Sequence, residues 1–134
     1  MAKEILLVSA CALVDDDNRI LIAKRPPNRS LAGLWEFPGG KIEKGETPEL
    51  AIVRELKEEL DIEVHEKCLS PVTFASYSYE KFHLLMPLYI SRCWDGEILA
   101  KEGQDLKWVK PNALEQYDMP PADDPLKTAL RDVL

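Results

Sequence analysis

The sequence predicts a mixed α/β sandwich. Several short segments rich in β-branched and apolar residues read as strands, and one segment carries Ile52, Leu56 and Leu60 at the four-residue spacing of a buried helix face. Helical stretches interrupt antiparallel-looking strand pairs at irregular intervals. That order favours a layered mixed sheet over a regular doubly wound βαβ sheet.

Residues 5–14 form an apolar run expected to be a buried strand, 15–19 a turn containing Asp15-Asp16-Asp17, and 20–24 a returning strand, so that the three read as a hairpin. A loop begins at Pro26-Pro27-Asn28-Arg29-Ser30, and Trp35-Glu36-Phe37 reads as a short extended piece before Pro38-Gly39-Gly40. Thr47 is suited to cap a helix whose first residue is Pro48. Its inward stripe is Ile52, Leu56 and Leu60, and its other face carries acids. Residues 71–79 and 82–93 are expected strands joined by a tight turn at Glu80-Lys81, 106–109 is a further short strand, and 125–134 a closing helix.

The 134 residues suit one domain spanning 1–134, long enough to bury a core without disulfides or a structural metal. Composition is ordinary for a globular protein, at 46% hydrophobic and 31% charged, and no apolar run approaches a membrane span. Neither a cleavable leader nor an Arg-rich transit peptide is visible, so a soluble, cytoplasmic protein is expected. Cys11, Cys68 and Cys93 are odd in number and lack a CxxC pair, and they read as reduced core thiols. A net charge of −7 argues against a surface that grips a nucleic-acid polymer or anionic lipid. A polyanionic substrate would need a metal or a local basic pocket.

Glu55, Glu58 and Glu59 fall on one helix face, where like charges at this spacing cost roughly 0.2–0.5 kcal/mol per pair. Arg54, four residues before Glu58, relieves part of this. A hard divalent cation such as Mg²⁺ or Mn²⁺ would relieve more, and both ions prefer carboxylates while keeping positions for water and phosphates. A plain solvated acidic face is the other reading of the triplet alone.

Gly40, Glu46 and Arg54-Glu55-Leu56-Lys57-Glu58-Glu59-Leu60 resemble, spacing included, the Nudix box of hydrolases that act on nucleoside diphosphates linked to another group; the box would span 40–62. Asp61 stands where the family pattern has glycine, and Asp tolerates the left-handed conformation that a helix end often needs. The resemblance implies the Nudix fold, an α/β/α sandwich with a mixed β-sheet. Beyond the box, residues 34–43, 101–104 and 120–123 are similar to the corresponding segments of the MutT branch, which hydrolyses oxidised guanine nucleoside triphosphates.

Carried over residue by residue, the likeness implies metal ligands at Glu55, Glu58, Glu59, Glu102 and the Gly39 carbonyl, with Arg54 orienting the glutamates and either Glu55 or Glu102 as the base. It implies Mg²⁺, with Mn²⁺ as substitute, and water attack on the β-phosphorus to give a nucleoside monophosphate and pyrophosphate. It sets Arg25 near the nucleotide, Phe37 and Tyr79 near the base, and Asp123 where MutT has an asparagine that reads the purine edge. Each has a plainer alternative: a solvated strand-end charge for Arg25, core for Phe37, a hairpin surface aromatic for Tyr79, and a cap for the last helix for Asp123. An ionised Asp123 can only accept, which matches the O6 acceptor of 8-oxoguanine badly and an exocyclic amine well, unless Asp123 and Asp124 share a proton.

The expected partner is therefore a nucleoside triphosphate, with 8-oxo-dGTP leading, CTP or 5-methyl-dCTP as competitor, and a non-catalytic nucleotide sensor as a third reading. A monomer is favoured, with the oligomeric state open. Trp35, Trp94 and Trp108 read as packing residues, His65 and His83 as surface or core, and Lys41 as either a phosphate contact or a plain loop lysine.

Overall fold

Strand β1 (Glu4–Leu13) divides the molecule, because successive side chains on a strand point to opposite faces. In the computed structural model, which describes residues 3–28 and 32–134, Ala10 and Ala12 enter one apolar core with Met86, Leu88, Leu126 and Leu130. Cys11 and Leu13 enter a second core with Ile52, Leu56 and Leu60. Strand β2 (Ile20–Lys24) repeats the division, with Ile20 and Ile22 in the first core and Leu21 in the second. Helix α1 (Pro48–Leu60) closes the second core, and α2 (Asp124–Val133) closes the first. The result is the expected α/β/α sandwich.

The remaining strands are β3 (Trp35–Glu36), β4 (Gly39–Lys41), β5 (Ser70–Ser78), β6 (Phe82–Ser91) and β7 (Asp105–Val109). Four of the strands form a mixed sheet in the order β4-β1-β6-β5, with β1 and β6 parallel and the other pairs antiparallel. The other three form an antiparallel sheet, β3-β2-β7.

The expected β1–β2 hairpin is not formed. The two strands lie in different sheets and meet only at one bridge, Val14 to Ile20. The turn itself is tight: the Asp15 side chain accepts from the Arg19 N–H at 2.7 Å, and Asn18 takes φ 61°. Both edges of β1 are already occupied, by β4 and β6, so β2 finds its partners in β3 and β7. Of the loop expected from Pro26, Arg29 and Ser30 lie outside the described residues, as do Met1 and Ala2.

Helix α1 has the expected ends. The Thr47 hydroxyl accepts from the Leu50 N–H at 3.1 Å, and Pro48 occupies the first turn, where its missing N–H costs nothing. Asp61 takes φ 60° and its N–H donates to the Lys57 carbonyl, so aspartate adopts the left-handed conformation that the family's glycine would supply.

The thiols divide differently from expectation. Cys11 is fully buried and its thiol is pushed up to about 12 by burial, whereas Cys68 is half-buried and Cys93 is exposed. The reason for the last is that β6 ends at Ser91, two residues before Cys93. Trp94 stacks on Trp108 and Trp35 meets Tyr117 edge-on, as packing residues do. His65 and His83 pair at the surface with Asp95 and with Ser76 and Ser78. Among the described residues no helix is long and apolar enough to cross a membrane.

Replacing Thr47 by Ala removes the α1 cap and is expected to lower unfolding stability by about 1 kcal/mol in a denaturant titration, while Thr47→Ser keeps it. Equal stability of the Ala and Ser variants would show that the cap contributes nothing.

Candidate active site

The segment entering α1 is organised by one guanidinium. Arg54 holds Glu46 through a two-pronged pair, Nε to Oε2 at 2.8 Å and Nη2 to Oε1 at 2.9 Å. Its Nη1 reaches Glu55 Oε1 at 2.6 Å, and Nη2 also donates to the Lys41 carbonyl at 2.9 Å. Glu43 and Glu58 stand farther off, each at 3.7 Å. Glu46 Oε1 in turn accepts the Glu43 N–H at 2.9 Å, so the β4–α1 loop is closed on the helix by charge-assisted bonds. Arg54's hydrogen bonds hold the Glu46 carboxyl down at about 2, and the same bonds raise the guanidinium's own value.

Two glycines let the backbone close on this helix. A Cβ on Gly39 would collide with the Ser9 carbonyl, and one on Gly40 with the Glu55 carboxyl group. Glu55 therefore lies directly over the Gly40 Cα, fixed from the other side by Arg54.

Glu102 arrives by a different route. The last carbonyls of a helix lack intrahelical partners. Here the loop after residue 98 supplies them: Leu99 N–H donates to the Leu60 carbonyl at 2.9 Å, and Lys101 N–H to that of Glu59 at 3.1 Å. Gln104 completes the clasp, its Nε2 donating to the Glu59 carbonyl at 3.1 Å and its Oε1 accepting the Glu102 N–H at 3.0 Å.

These elements line one cleft of about 740 Å³, within the usual range of ligand pockets. Glu55, Glu59, Glu102, Gly39 and Gly40 line it together with Arg25, Phe37, Tyr79 and Asp123. Glu58 does not; its side chain is 59% exposed and stands 3.7 Å from Arg54. Glu59 is raised to about 9 by burial first, then by Glu55, Glu102 and Glu36.

Arg25 pairs with Glu36 at 2.9 Å and so is not merely a solvated strand-end charge. Phe37 is both core and lining, and Tyr79 is half-buried between Tyr77 and Phe82. Asp123 is 4% exposed and makes no capping bond to α2, which removes the helix-cap reading. Its carboxyl is raised to about 7, by burial first and then by Glu36, with Lys127 and Arg25 opposing and Asp124 adding a smaller push. The acid that matters to Asp123 is thus Glu36 rather than Asp124, whose side chain is 69% exposed and turned toward Lys127.

A sequence profile of the NUDIX domain matches residues 9–129. The chain belongs to the Nudix hydrolase family. It is 36% identical to the 8-oxo-dGTP diphosphatase of Escherichia coli K12, over 94% of this chain and 96% of that protein. It is 40% identical to the CTP pyrophosphohydrolase of the same organism, over 88% of this chain and 86% of that one. A solved structure from work on MutT of Aliivibrio salmonicida and Vibrio cholerae superposes with a TM-score of 0.82 at 33% identity, covering 98% of this chain and all of that one.

Nudix hydrolases generally use a divalent metal, and the donor set here fits one. Among the described residues Glu59 Oε2 and Ser9 Oγ are buried without a hydrogen-bond partner, and both residues line the cleft beside Glu55 and Glu102. Buried oxygens among like charges are a chemistry that a hard cation satisfies. Among the described residues no three acidic, thiol or imidazole side chains already converge as a finished cage. Ser9, Glu36 and Gln104 escape the Nudix box signature. The alternation of β1, which sets Ser9 opposite Gly40, is the signal that could have exposed the first.

The depressed Glu46 carboxyl carries a linkage prediction. A lowered folded value stabilises above the unfolded value, near 4.5, and that contribution is lost as pH falls toward about 2. The stability difference between wild type and Glu46→Gln is therefore expected to be constant near neutral pH and to shrink between about 4.5 and 2 in urea titrations. A difference independent of pH across that window would contradict the Arg54–Glu46 assignment.

Proposed function

We propose that this Nudix protein is a Mg²⁺-dependent nucleoside triphosphate pyrophosphohydrolase that converts 8-oxo-dGTP to 8-oxo-dGMP and pyrophosphate, removing oxidised guanine nucleotide from the pool used in replication. The observation that carries the reading is one cleft lined both by the acid cluster of Glu55, Glu59 and Glu102 and by a buried carboxyl, Asp123, with Phe37 and Tyr79. The relatives named 8-oxo-dGTP diphosphatase support the same substrate.

In this reading Glu55, Glu58, Glu59, Glu102 and the Gly39 carbonyl would hold the cation. Bound Mg²⁺ (or Mn²⁺ as substitute) supplies charge neutralisation for the triphosphate and a more acidic water. Glu55 or Glu102 accepts the proton of the water that attacks the β-phosphorus. The new O–P bond forms there, the bond to the bridging oxygen breaks, and the nucleoside monophosphate leaves with that oxygen. Arg54 keeps Glu55 in place throughout, since its bond at 2.6 Å and the close Gly40 backbone limit where that carboxylate can go. Arg25 and Lys41, both lining the cleft, supply positive charge toward phosphate. Phe37 and Tyr79 supply apolar contact for the base.

Asp123 reads the base edge. With its carboxyl raised to about 7, a large share of it is protonated near neutrality, and that form offers a donor and an acceptor together, which suits O6 and N7–H of 8-oxoguanine. Above that value it only accepts. The acceptor-only form, and the relative named CTP pyrophosphohydrolase, favour a second reading in which the substrate is CTP or 5-methyl-dCTP.

Turnover is expected to vanish on chelation and return with Mg²⁺ or Mn²⁺, and Glu55→Gln to lower kcat by orders of magnitude with the fold retained. In ¹⁸O-water the label is expected in pyrophosphate. Label in the monophosphate, or release of orthophosphate, would overturn attack at the β-phosphorus, and nucleotide binding without turnover would identify a sensor.

Above about pH 7, where wild-type Asp123 is ionised and can only accept, Asp123→Asn still carries a donor and an acceptor, so there it is expected to shift the ratio of kcat/KM for 8-oxo-dGTP over CTP by about tenfold or more toward the purine. Wild-type kcat/KM for 8-oxo-dGTP should fall as pH rises through about 7, where Asp123, facing Glu36, Asp124, Tyr79, Lys127 and Arg25, ionises. The asparagine variant should lack that fall. A raised carboxyl also opposes folding increasingly between its unfolded value near 3.8 and about 7, so Asp123→Asn should gain stability at alkaline pH. An unchanged substrate ratio would remove Asp123 from base recognition.

A further inference from the structure

A second cleft, of about 470 Å³, shares no lining residue with the acidic one and has Cys68 and Cys93 in its wall. The chain holds these two cysteines together from both sides. On one side Glu63 and Asp95 exchange both backbone hydrogen bonds, at 2.9 and 2.8 Å; on the other, Ser70 pairs with Ile90 where β5 meets β6. Between the two pins, Cys68 ends a short 3₁₀ turn, Glu66–Cys68, and Cys93 is held to the Ser91 hydroxyl, which donates to the Cys93 carbonyl at 3.0 Å. The Cys68 and Cys93 side chains share the wall of this cleft, and the neighbouring Cys93, with burial and the nearby Asp95, raises the Cys68 thiol. Cys93 is exposed, Cys68 is half-buried, and Cys11 is sealed in the core.

We propose that Cys68 and Cys93 are a dithiol modification site that a small disulfide oxidant, of the oxidised-glutathione class, closes to an intramolecular disulfide. Exposure makes Cys93 the entry point. Its thiolate attacks one sulfur of the oxidant, forming a mixed disulfide and releasing one glutathione thiolate. Cys68 then loses its proton and attacks the Cys93 sulfur, expelling the second glutathione. Two protein thiols are oxidised, one small disulfide is reduced to two thiols, and the segment following α1 becomes tied to the end of β6. The nucleotide chemistry plays no part in this step.

The reduced full-length chain, incubated folded with oxidised glutathione and measured by intact-mass spectrometry, is expected to lose two hydrogen atoms and keep no adduct. Peptide mapping should place the link between positions 68 and 93, and the cross-linked chain should melt about 5 °C or more higher than the reduced one. Cys68→Ser removes the resolving thiol and should trap one glutathionyl group on Cys93, whereas Cys93→Ser should react at least tenfold more slowly. A wild-type chain that keeps a stable adduct, links chain to chain, pairs either residue with Cys11 or remains reduced would overturn the proposal.

Discussion

The fork between Arg54 and Glu46 is the constraint on which the active region depends. It is two-pronged and only partly exposed, with the Arg54 side chain at 25% and that of Glu46 at 19%. Such a pair resists the geometric averaging that makes ordinary surface ion pairs weak. Through it the β4–α1 loop, the Lys41 carbonyl and Glu55 are referred to one planar group. Lysine could not replace it, because a point charge has no fork to present to two carboxylates and a carbonyl at once. The close approach of the Gly39–Gly40 backbone is the second half of this constraint, since any side chain there would displace either β1 or Glu55.

Stability and site chemistry meet in the wall of the cleft, where Phe37, Leu84 and Met86 of the first core are also lining residues. The two apolar cores on either face of β1 and β2 hold the sandwich together, whereas the cleft gathers Glu36, Glu55, Glu59, Glu102 and Asp123 with few cations among them. Glu36 is the link within the cleft, for it raises both Glu59 and Asp123 while pairing with Arg25. Acids crowded in this way oppose folding and are retained where a ligand of opposite charge offsets them.

What the sequence made legible follows from the range of the interactions concerned. Thr47, Pro48, the Ile52-Leu56-Leu60 stripe and the left-handed Asp61 are local signals, and each appears as expected. The residues that the family resemblance singled out at Glu55, Glu59, Glu102, Arg25, Phe37, Tyr79 and Asp123 line one cleft, while Glu58 is exposed beside Arg54. The β1–β2 hairpin failed because local alternation cannot reveal that β6, far along the chain, and β4 have taken both edges of β1. Cys93 was expected in the core because its apolar run continues past the point where pairing stops at Ser91. The influence of Glu36 on Asp123 was hidden for the same reason as the hairpin: the residues are neighbours only in three dimensions, whereas Asp124 is a neighbour only in sequence.

Whether the buried acids form a divalent-cation site is tested, without reference to turnover, by a melting titration of the nucleotide-free protein. Added Mg²⁺ or Mn²⁺ binds only the folded chain, so wild type is expected to rise in Tm by about 8 °C once the cation exceeds its Kd a hundredfold. Glu59→Gln, which replaces the buried carboxyl whose Oε2 has no hydrogen-bond partner among the described residues, should show little or no rise. An equal rise in both proteins, or none in wild type, would contradict the account.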